Sequence, residues 1–296
     1  MFDYPALQAL AAVIRLGSFE RAAQALHVTP SAVSQRVKQL EERWGAVLVV
    51  RGQPCIATEA GRRLCRHVEQ VGLLEAGLQR HLPGDAVAPL TLPIAVNADS
   101  LGTWFIEAAA GFAAVSGHLL DLAVDDQDHT AERLRRGEVL AAVTGHGQGV
   151  QGCRVTALGS LPYRATASPA FMARHFPDGV DAEAMARAPA LTFDRKDQLQ
   201  RQWLAAHVGL GEAGPTHWLP STQGFVDACL AGMGWALNPL PLVADHLATG
   251  RLVEVLPGRG LETPLFWQVG QLAAKPLAGL TRAVVMAARR HLVCGP

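Results

Sequence analysis

The stretch Ser18-Phe19-Glu20-Arg21-Ala22-Ala23-Gln24-Ala25-Leu26-His27-Val28-Thr29-Pro30-Ser31-Ala32-Val33-Ser34-Gln35-Arg36-Val37-Lys38-Gln39-Leu40-Glu41 decides the fold of the N-terminal part of the chain. It reads as two helices joined by a short turn. Ser18 follows the helix-stopping Gly17 and suits an N-cap, although Arg21 stands where a capping box would carry Glu. The small residues Ala22, Ala23 and Ala25 allow a close helix approach, and His27-Val28 forms the turn. Thr29 caps the next helix, and Pro30 takes its first position, where the missing N–H costs nothing. That helix ends before Gly45. Val33, Val37 and Leu40 fall on one face, which is expected to be buried. Ser31, Ser34, Gln35 and Lys38 fall on another, at spacings of three and four. Such side chains suit base edges in a DNA groove: Gln pairs with adenine, Lys with guanine or phosphate, and Ser with either. A merely solvated polar face has the same periodicity. The capped start, the local charge and the hairpin that follows favour the nucleic-acid reading.

Upstream, Leu7, Leu10, Ala11, Val13 and Ile14 predict a first helix. Downstream, Val47–Val50 and Ile56-Ala57 predict two short strands around the turn Arg51-Gly52-Gln53-Pro54, with Arg51 placed to meet a phosphate. A longer helix is expected from about residue 58 to residue 82, with Leu64, Val68, Val71, Leu74 and Leu78 at coiled-coil spacing. Pro83-Gly84 ends it and opens a linker to about Pro89. The chain carries 26 basic and 26 acidic residues, for a net charge of zero. Between Arg15 and Arg66, however, nine basic residues stand against four acidic ones. A basic nucleic-acid head on a more acidic body produces this asymmetry.

The 296 residues suit two or three domains, and 49% hydrophobic with 18% charged residues points to a buried core. The apolar runs fall well short of a membrane helix, and Met1–Pro5 lacks the features of a signal peptide, so a cytoplasmic protein with no membrane partner is expected. Cys55, Cys65, Cys153, Cys229 and Cys294 are scattered, odd in number and without a CxxC pair, which argues against a disulfide framework or a zinc site. His129, His146 and His217 have no metal-ligand spacing, and no metal or cofactor is expected. From Leu90 onward short apolar runs alternate with helical stretches: Leu92–Val96, Leu119–Val124, Leu140–Val143, Arg164–Ala167, Ala190–Phe193, Trp235–Leu237 and Leu265–Val269. This predicts an α/β body with largely parallel sheets. Nucleophile-elbow, P-loop and dinucleotide-binding motifs are missing, and Gly145-His146-Gly147-Gln148-Gly149 lacks the Lys-Ser/Thr of a phosphate loop. An enzyme is therefore not expected.

The Ser18–Glu41 stretch resembles the winged helix-turn-helix of the LysR family, and Thr58-Glu59-Ala60-Gly61 resembles that family's step from wing to linker helix. The resemblance covers nearly the whole chain. It implies a winged head over 1–58, a linker and dimerisation helix with hinge over 59–89, and an effector-binding domain over 90–296. That domain would be two-lobed and α/β, like a periplasmic binding protein, with lobe I at about 90–161 and 265–296 and lobe II at about 162–264. It also implies homodimerisation through the linker helix, often a tetramer, paired operator half-sites on double-stranded DNA and contact with RNA polymerase. The candidate DNA-contacting residues are Ser18, Thr29, Pro30, Ser31, Ser34, Gln35, Arg36, Lys38 and Arg51.

In the body, Ile94-Ala95-Val96-Asn97-Ala98-Asp99-Ser100 with Thr103-Trp104 is similar to the LysG/ArgP subgroup. So are Asp126-Gln127-Asp128-His129, Glu132-Arg133-Leu134-Arg135-Arg136-Gly137 and Ala142-Val143-Thr144. That similarity implies a lysine or arginine effector and control of a basic amino-acid exporter gene. Ligands of open α/β folds sit at the carboxyl ends of strands. Three such ends are polar here: Asn97–Ser100, Asp125–Asp128 and Thr144. The second lobe offers Phe193-Asp194 and Ser221-Thr222. Helix N-termini at Ser100 or Thr222 could hold the ligand carboxylate. Asp99, Asp126, Asp128 or Asp194 could pair its cationic groups, with Asp99 and Asp126 ranked first by similarity. For each Asp the alternative is a helix cap or a solvated loop. Trp104, Phe193, Phe225 and Trp235 are core residues or ligand walls. Two rival regulators share the scaffold: a thiol redox sensor using Cys153, Cys229 or Cys294, and a chromosome-organising protein with little base preference.

Overall fold

The computed structural model describes residues 2–79, 89–125 and 130–294. The chain divides into two compact units, Met1–Ala88 and Pro89–Pro296. The first contains helices α1 (Tyr4–Leu16), α2 (Phe19–Ala25) and α3 (Pro30–Trp44). An antiparallel hairpin of β1 (Val49–Val50) and β2 (Ile56–Ala57) follows, then the long helix α4 (Glu59–Gln79).

Each helix boundary in the head has a local cause. Gly17 closes α1 in the left-handed region, φ 67°, where a Cβ is unfavourable. Ser18 then caps α2, its hydroxyl accepting from the Glu20 and Arg21 N–H groups at 3.2 and 3.4 Å. Thr29 caps α3 by accepting from the Ala32 N–H at 3.2 Å. Val33, Val37 and Leu40 are buried with Leu7, Leu10, Val13, Ala22 and Ala23 in one core.

The wing is tied to that core by side chains rather than by its two-residue strands. The Glu41 carboxylate accepts from the N–H groups of Leu48 and Val49 at 2.8 and 3.3 Å. The Thr58 hydroxyl donates to the Val47 carbonyl at 2.7 Å and accepts from the Gly61 N–H at 3.1 Å, capping α4. A Cβ on Gly61 would lie 2.1 Å from the Leu48 carbonyl oxygen. Glycine is thus required where α4 crosses the wing base.

The second unit contains β3 (Thr91–Asn97), β4 (Leu119–Asp125), β5 (Ala141–Thr144), β6 (Cys153–Ala167), β7 (Ala190–Thr192), β8 (Thr216–Trp218), β9 (Ala236–Pro239), β10 (Val253–Glu254) and β11 (Gly260–Gly270). One sheet has the order β10-β6-β11-β5-β3-β4, with β9 also on β6, and β7 pairs with β8 apart from it. The expectation of largely parallel pairing holds for β3 with β4 and β5 and for β7 with β8. It fails at the centre. β6 and β11 run antiparallel from Gly260 opposite Arg164 to Gly270 opposite Cys153. The reason is topological: these two long strands carry the chain out to the second lobe and back again. β11 pairs β5 through Phe266–Val269, whereas the far half of β6 takes β9 and β10. The register shifts between Leu265 and Phe266. Nearby Gly159 has φ 118°, and a Cβ there would meet the Val293 carbonyl oxygen at 2.6 Å. The result is a two-lobed α/β body of the periplasmic-binding-protein type. Among the described residues no helix is long and apolar enough to cross a membrane.

Candidate DNA interface and effector site

The polar face of α3 is turned outward. Ser31, Gln35 and Lys38 are exposed, and Ser34 and Arg36 are half-buried beside them. Thr29 and Ser31 share a hydroxyl hydrogen bond of 2.9 Å at the helix start, next to the exposed Pro30. Lys38 leans on Glu42 at 3.6 Å, with both side chains more than 60% exposed. A pair of that kind is worth about 0.3–0.5 kcal/mol, so a phosphate can readily displace it. On the wing, the exposed Arg51 guanidinium lies over the Phe19 ring, 5.1 Å from its centroid. That stacking fixes Arg51 relative to the start of α2. Between them opens a cavity of about 570 Å³, lined in part by Ser18, Arg21, Arg51 and Gln53. One feature there was not legible in the sequence: the Ser18 hydroxyl donates to the Glu20 carboxylate at 2.6 Å, which holds the Glu20 carboxyl below its usual range.

In the body, three successive helical pieces begin where β3 ends: Ala98–Ser100, Leu101–Phe105 in π geometry, and Ile106–Ser116. Single π-turns often mark functional positions. The first turn approaches the start of the Thr222–Leu230 helix, since a Cβ on Gly102 would lie 3.7 Å from the Thr222 methyl group. Asp99 stands between these two helix starts. Its Oδ1 accepts from the Thr222 hydroxyl and its Oδ2 from the Tyr163 hydroxyl, each at 2.6 Å. Such short bonds are expected when a neutral hydroxyl donates to a carboxylate. Tyr163 is fully buried, on the half of β6 that pairs with β9. On either side of Asp99, Asn97 is 3% exposed and Ser100 0% exposed. The Asn97 Oδ1 and Ser100 Oγ atoms are buried without a hydrogen-bond partner. Buried polar atoms in that condition are rare and call for an explanation.

The other sequence-predicted residues are placed differently. The Thr144 side chain is fully buried, its hydroxyl donating to the His146 carbonyl at 3.1 Å and accepting from Gln268 Nε2 at 3.1 Å. Its donor is spent holding the 145–150 loop. Asp194 acts as the loop cap that was the alternative for it, accepting from the Lys196 and Asp197 N–H groups at 2.7 and 3.1 Å. Phe193 packs against the core around Leu191 and Phe225. Ser221 is exposed and caps its helix through the Gly224 N–H at 3.0 Å. Asp126 and Asp128, with the rest of 126–129, lie outside the described residues. Sequence reasoning missed Tyr163 and Gln268. The one available signal for Tyr163 was that a tyrosine beside a predicted strand carries a hydroxyl that must find a partner when buried.

The five cysteines are free. Burial pushes the Cys229 thiol up to about 12 and raises that of Cys153. A redox-active thiol needs the opposite shift, so the geometry does not favour a thiol sensor at these two positions.

Residues 5–62 match the model of the bacterial regulatory helix-turn-helix proteins of the lysR family, and residues 90–292 match the LysR substrate binding domain. The chain belongs to the LysR family. It is 46% identical to the HTH-type transcriptional regulator ArgP of Pseudomonas aeruginosa, over 99% of this chain and 98% of that one. Among solved structures, ArgP from Mycobacterium tuberculosis superposes with TM-score 0.84 at 44% identity, covering 100% of both chains. Full-length LysG from Corynebacterium glutamicum with bound effector Arg superposes with TM-score 0.73 at 39% identity, over 99% of this chain and 100% of that one. These likenesses place the LysR chain in the ArgP/LysG branch.

Proposed function

We propose that this LysR-family chain is a transcription regulator, not an enzyme, that binds lysine or arginine and controls a basic amino-acid exporter gene. It works as a cytoplasmic homodimer or homotetramer joined through α4, contacting RNA polymerase from paired operator half-sites. In the head, Gln35, Ser31, Ser34 and Lys38 read base edges from α3. Ser18, Thr29, Pro30, Arg36 and Arg51 set its register on the phosphate backbone. In the body, Asn97, Asp99, Ser100, Ser221 and Thr222 form the effector site.

The observation that carries the effector assignment is the Asp99 carboxylate, held from both sides by Thr222 and Tyr163 between two helix starts. A carboxylate at that junction suits a cationic ligand, and the adjacent helix N–H groups suit a ligand carboxylate. The Arg bound to LysG of C. glutamicum supports the choice of ligand class. Because the two hydroxyls come from β6 and from the second lobe, a ligand at Asp99 biases lobe closure, and it shifts DNA binding only by its differential affinity for the two states.

The test is calorimetric titration of the full-length protein against the twenty amino acids, paired with footprinting of its operator. Binding of lysine or arginine with a changed footprint is the expected result. Binding of neither, or a footprint unaltered at saturation, refutes the reading.

A further inference from the structure

We propose that the crevice between α2 and the wing seats a single phosphate of the DNA backbone, with Arg21 and Arg51 as its two jaws and Glu20 as a charge that opposes it. This inference rests on the DNA reading above and adds to it Arg21, Glu20 and the sharing of one phosphate by two arginines.

The two guanidinium groups come from different elements that meet at Gly17. The Cys55 N–H donates to the Gly17 carbonyl at 2.9 Å, which ties the wing turn to the end of α1. A Cβ on Gly17 would lie 2.8 Å from the Pro54 Cβ, so glycine is what lets the turn come this close. The same Cβ would lie 3.7 Å from the Arg21 Nη2 atom, so the Arg21 guanidinium lies over that junction. Arg51 reaches α2 from the wing, its guanidinium carbon 5.1 Å from the centroid of Phe19, two positions before Arg21. Both arginines are exposed, and both line the one crevice, together with Gln53 of the wing turn. The jaws are therefore held at a fixed separation by backbone and ring contacts rather than by each other.

The charges fit one phosphate. Arginine stays ionised and presents a planar fork of donors that matches phosphate oxygens in pairs. Glu20 lines the same crevice, and the Ser18 hydroxyl donating at 2.6 Å holds its carboxyl below the usual range, so it is ionised at neutral pH. Two guanidinium charges against one carboxylate leave +1 in the crevice, the complement of one phosphodiester and not of a second. Among the described residues, the Glu20 carboxylate bonds Ser18 and forms no ion pair with either arginine, so both forks stay available to the DNA. The same carboxylate repels a phosphate that meets only one of the two arginines.

The experiment is quantitative binding of the full-length protein to its footprinted operator duplex at one salt concentration, with a panel in which one backbone phosphate at a time is replaced by an uncharged methylphosphonate. Arg21→Ala weakens binding to the unmodified operator and to a scrambled duplex alike, by about five- to tenfold. In wild type, one methylphosphonate position in each half-site brings a loss of similar size. At that position Arg21→Ala and Arg51→Ala each lose less than about twofold further, whereas neutralisation elsewhere weakens the variants as much as wild type. Glu20→Gln strengthens binding to both duplexes by about two- to fivefold, and the gain shrinks as salt is raised. An unchanged affinity in Arg21→Ala overturns the proposal. So does a panel in which the two arginine variants lose their sensitivity at different phosphates, or at none. Weaker binding by Glu20→Gln also overturns it, because the carboxylate would then itself touch the DNA. A melting curve is recorded for each variant; should Arg21→Ala fail to fold, Arg21→Gln, which keeps a side chain over Gly17, takes its place in the panel. If the protein binds no DNA, the DNA reading and this inference fall together. If it binds its operator without a shared phosphate, this inference alone falls.

Discussion

Replacing Gly61 by alanine sets two effects of opposite sign against each other. Helix propensity alone favours the change by about 0.8–1.0 kcal/mol, since Gly61 lies inside α4. The packing opposes it. The new Cβ would sit 2.1 Å from the Leu48 carbonyl oxygen and 3.0 Å from its carbon, and both are backbone atoms that no rotamer change can move. To reach an ordinary contact the wing base must retreat by about an ångström. The Leu48 carbonyl accepts the Thr58 N–H at 3.0 Å, and the Thr58 hydroxyl holds Val47 at 2.7 Å, so the retreat breaks or stretches both. Overpacking costs roughly 1–3 kcal/mol, and a buried hydrogen bond lost adds about 1–3 kcal/mol. The net expectation is destabilisation of the head by about 2 kcal/mol or more, and weaker operator binding because Arg51 moves with the wing. Urea denaturation followed by hydrogen exchange at the amides of α1, α2 and α3 reads the stability of this unit. Gly72→Ala, in the same helix but where a Cβ meets nothing within 4 Å, is the control and gains about 0.5–1 kcal/mol. A stabilised Gly61→Ala variant with full operator affinity would refute the account of the wing base.

Glu41→Gln keeps the shape but removes the charge that two wing N–H groups share, and it lowers head stability by about 1–2 kcal/mol in the same urea assay; no change would mean the wing is held by its strands. Arg51→Ala weakens binding to operator and scrambled DNA alike and flattens the salt slope by about 1, as read from affinities over a salt series. Asp99→Ala abolishes the lysine or arginine response in calorimetry, and an unaltered ligand affinity would remove Asp99 from the site. With its thiol pushed up to about 12, Cys229 stays unmodified by a thiol reagent at pH 8 in the native protein and reacts only on unfolding. Modification at the rate of an exposed thiol would show that its burial is wrong.

Much of the head is legible because its causes are local. Ser18, Thr29, Pro30 and Gly45 act within one turn of where they stand, so capping chemistry alone places α2 and α3. The Thr58–Gly61 motif was recognisable as a pattern, but its reason, the close crossing of α4 over Leu48, exists only in three dimensions. In the body the apolar runs mark β3, β4, β5, β7 and β9, whereas the two- and three-residue strands β8 and β10 are too short and too polar to leave such a run. The long antiparallel pair β6 and β11 was seen only in part, because its pairing joins residues about a hundred positions apart and leaves no local periodicity. The same distance hid which of the candidate residues meet. Asp99 meets Tyr163 and Thr222 from 64 and 123 residues away. At Thr144 and Asp194 the ambiguity is local: a polar residue at a strand end serves a loop as readily as a ligand, and both make hydrogen bonds to nearby backbone groups.

The central claim is that the outward face of α3 discriminates bases. Its most direct test is quantitative binding of the wild-type and Gln35→Ala proteins to the operator and to a scrambled duplex at one fixed salt concentration. The account predicts that operator affinity falls by about ten- to a hundredfold, or about 1–3 kcal/mol, while affinity for the scrambled duplex stays constant. Equal losses on both duplexes, or no loss on either, would contradict it.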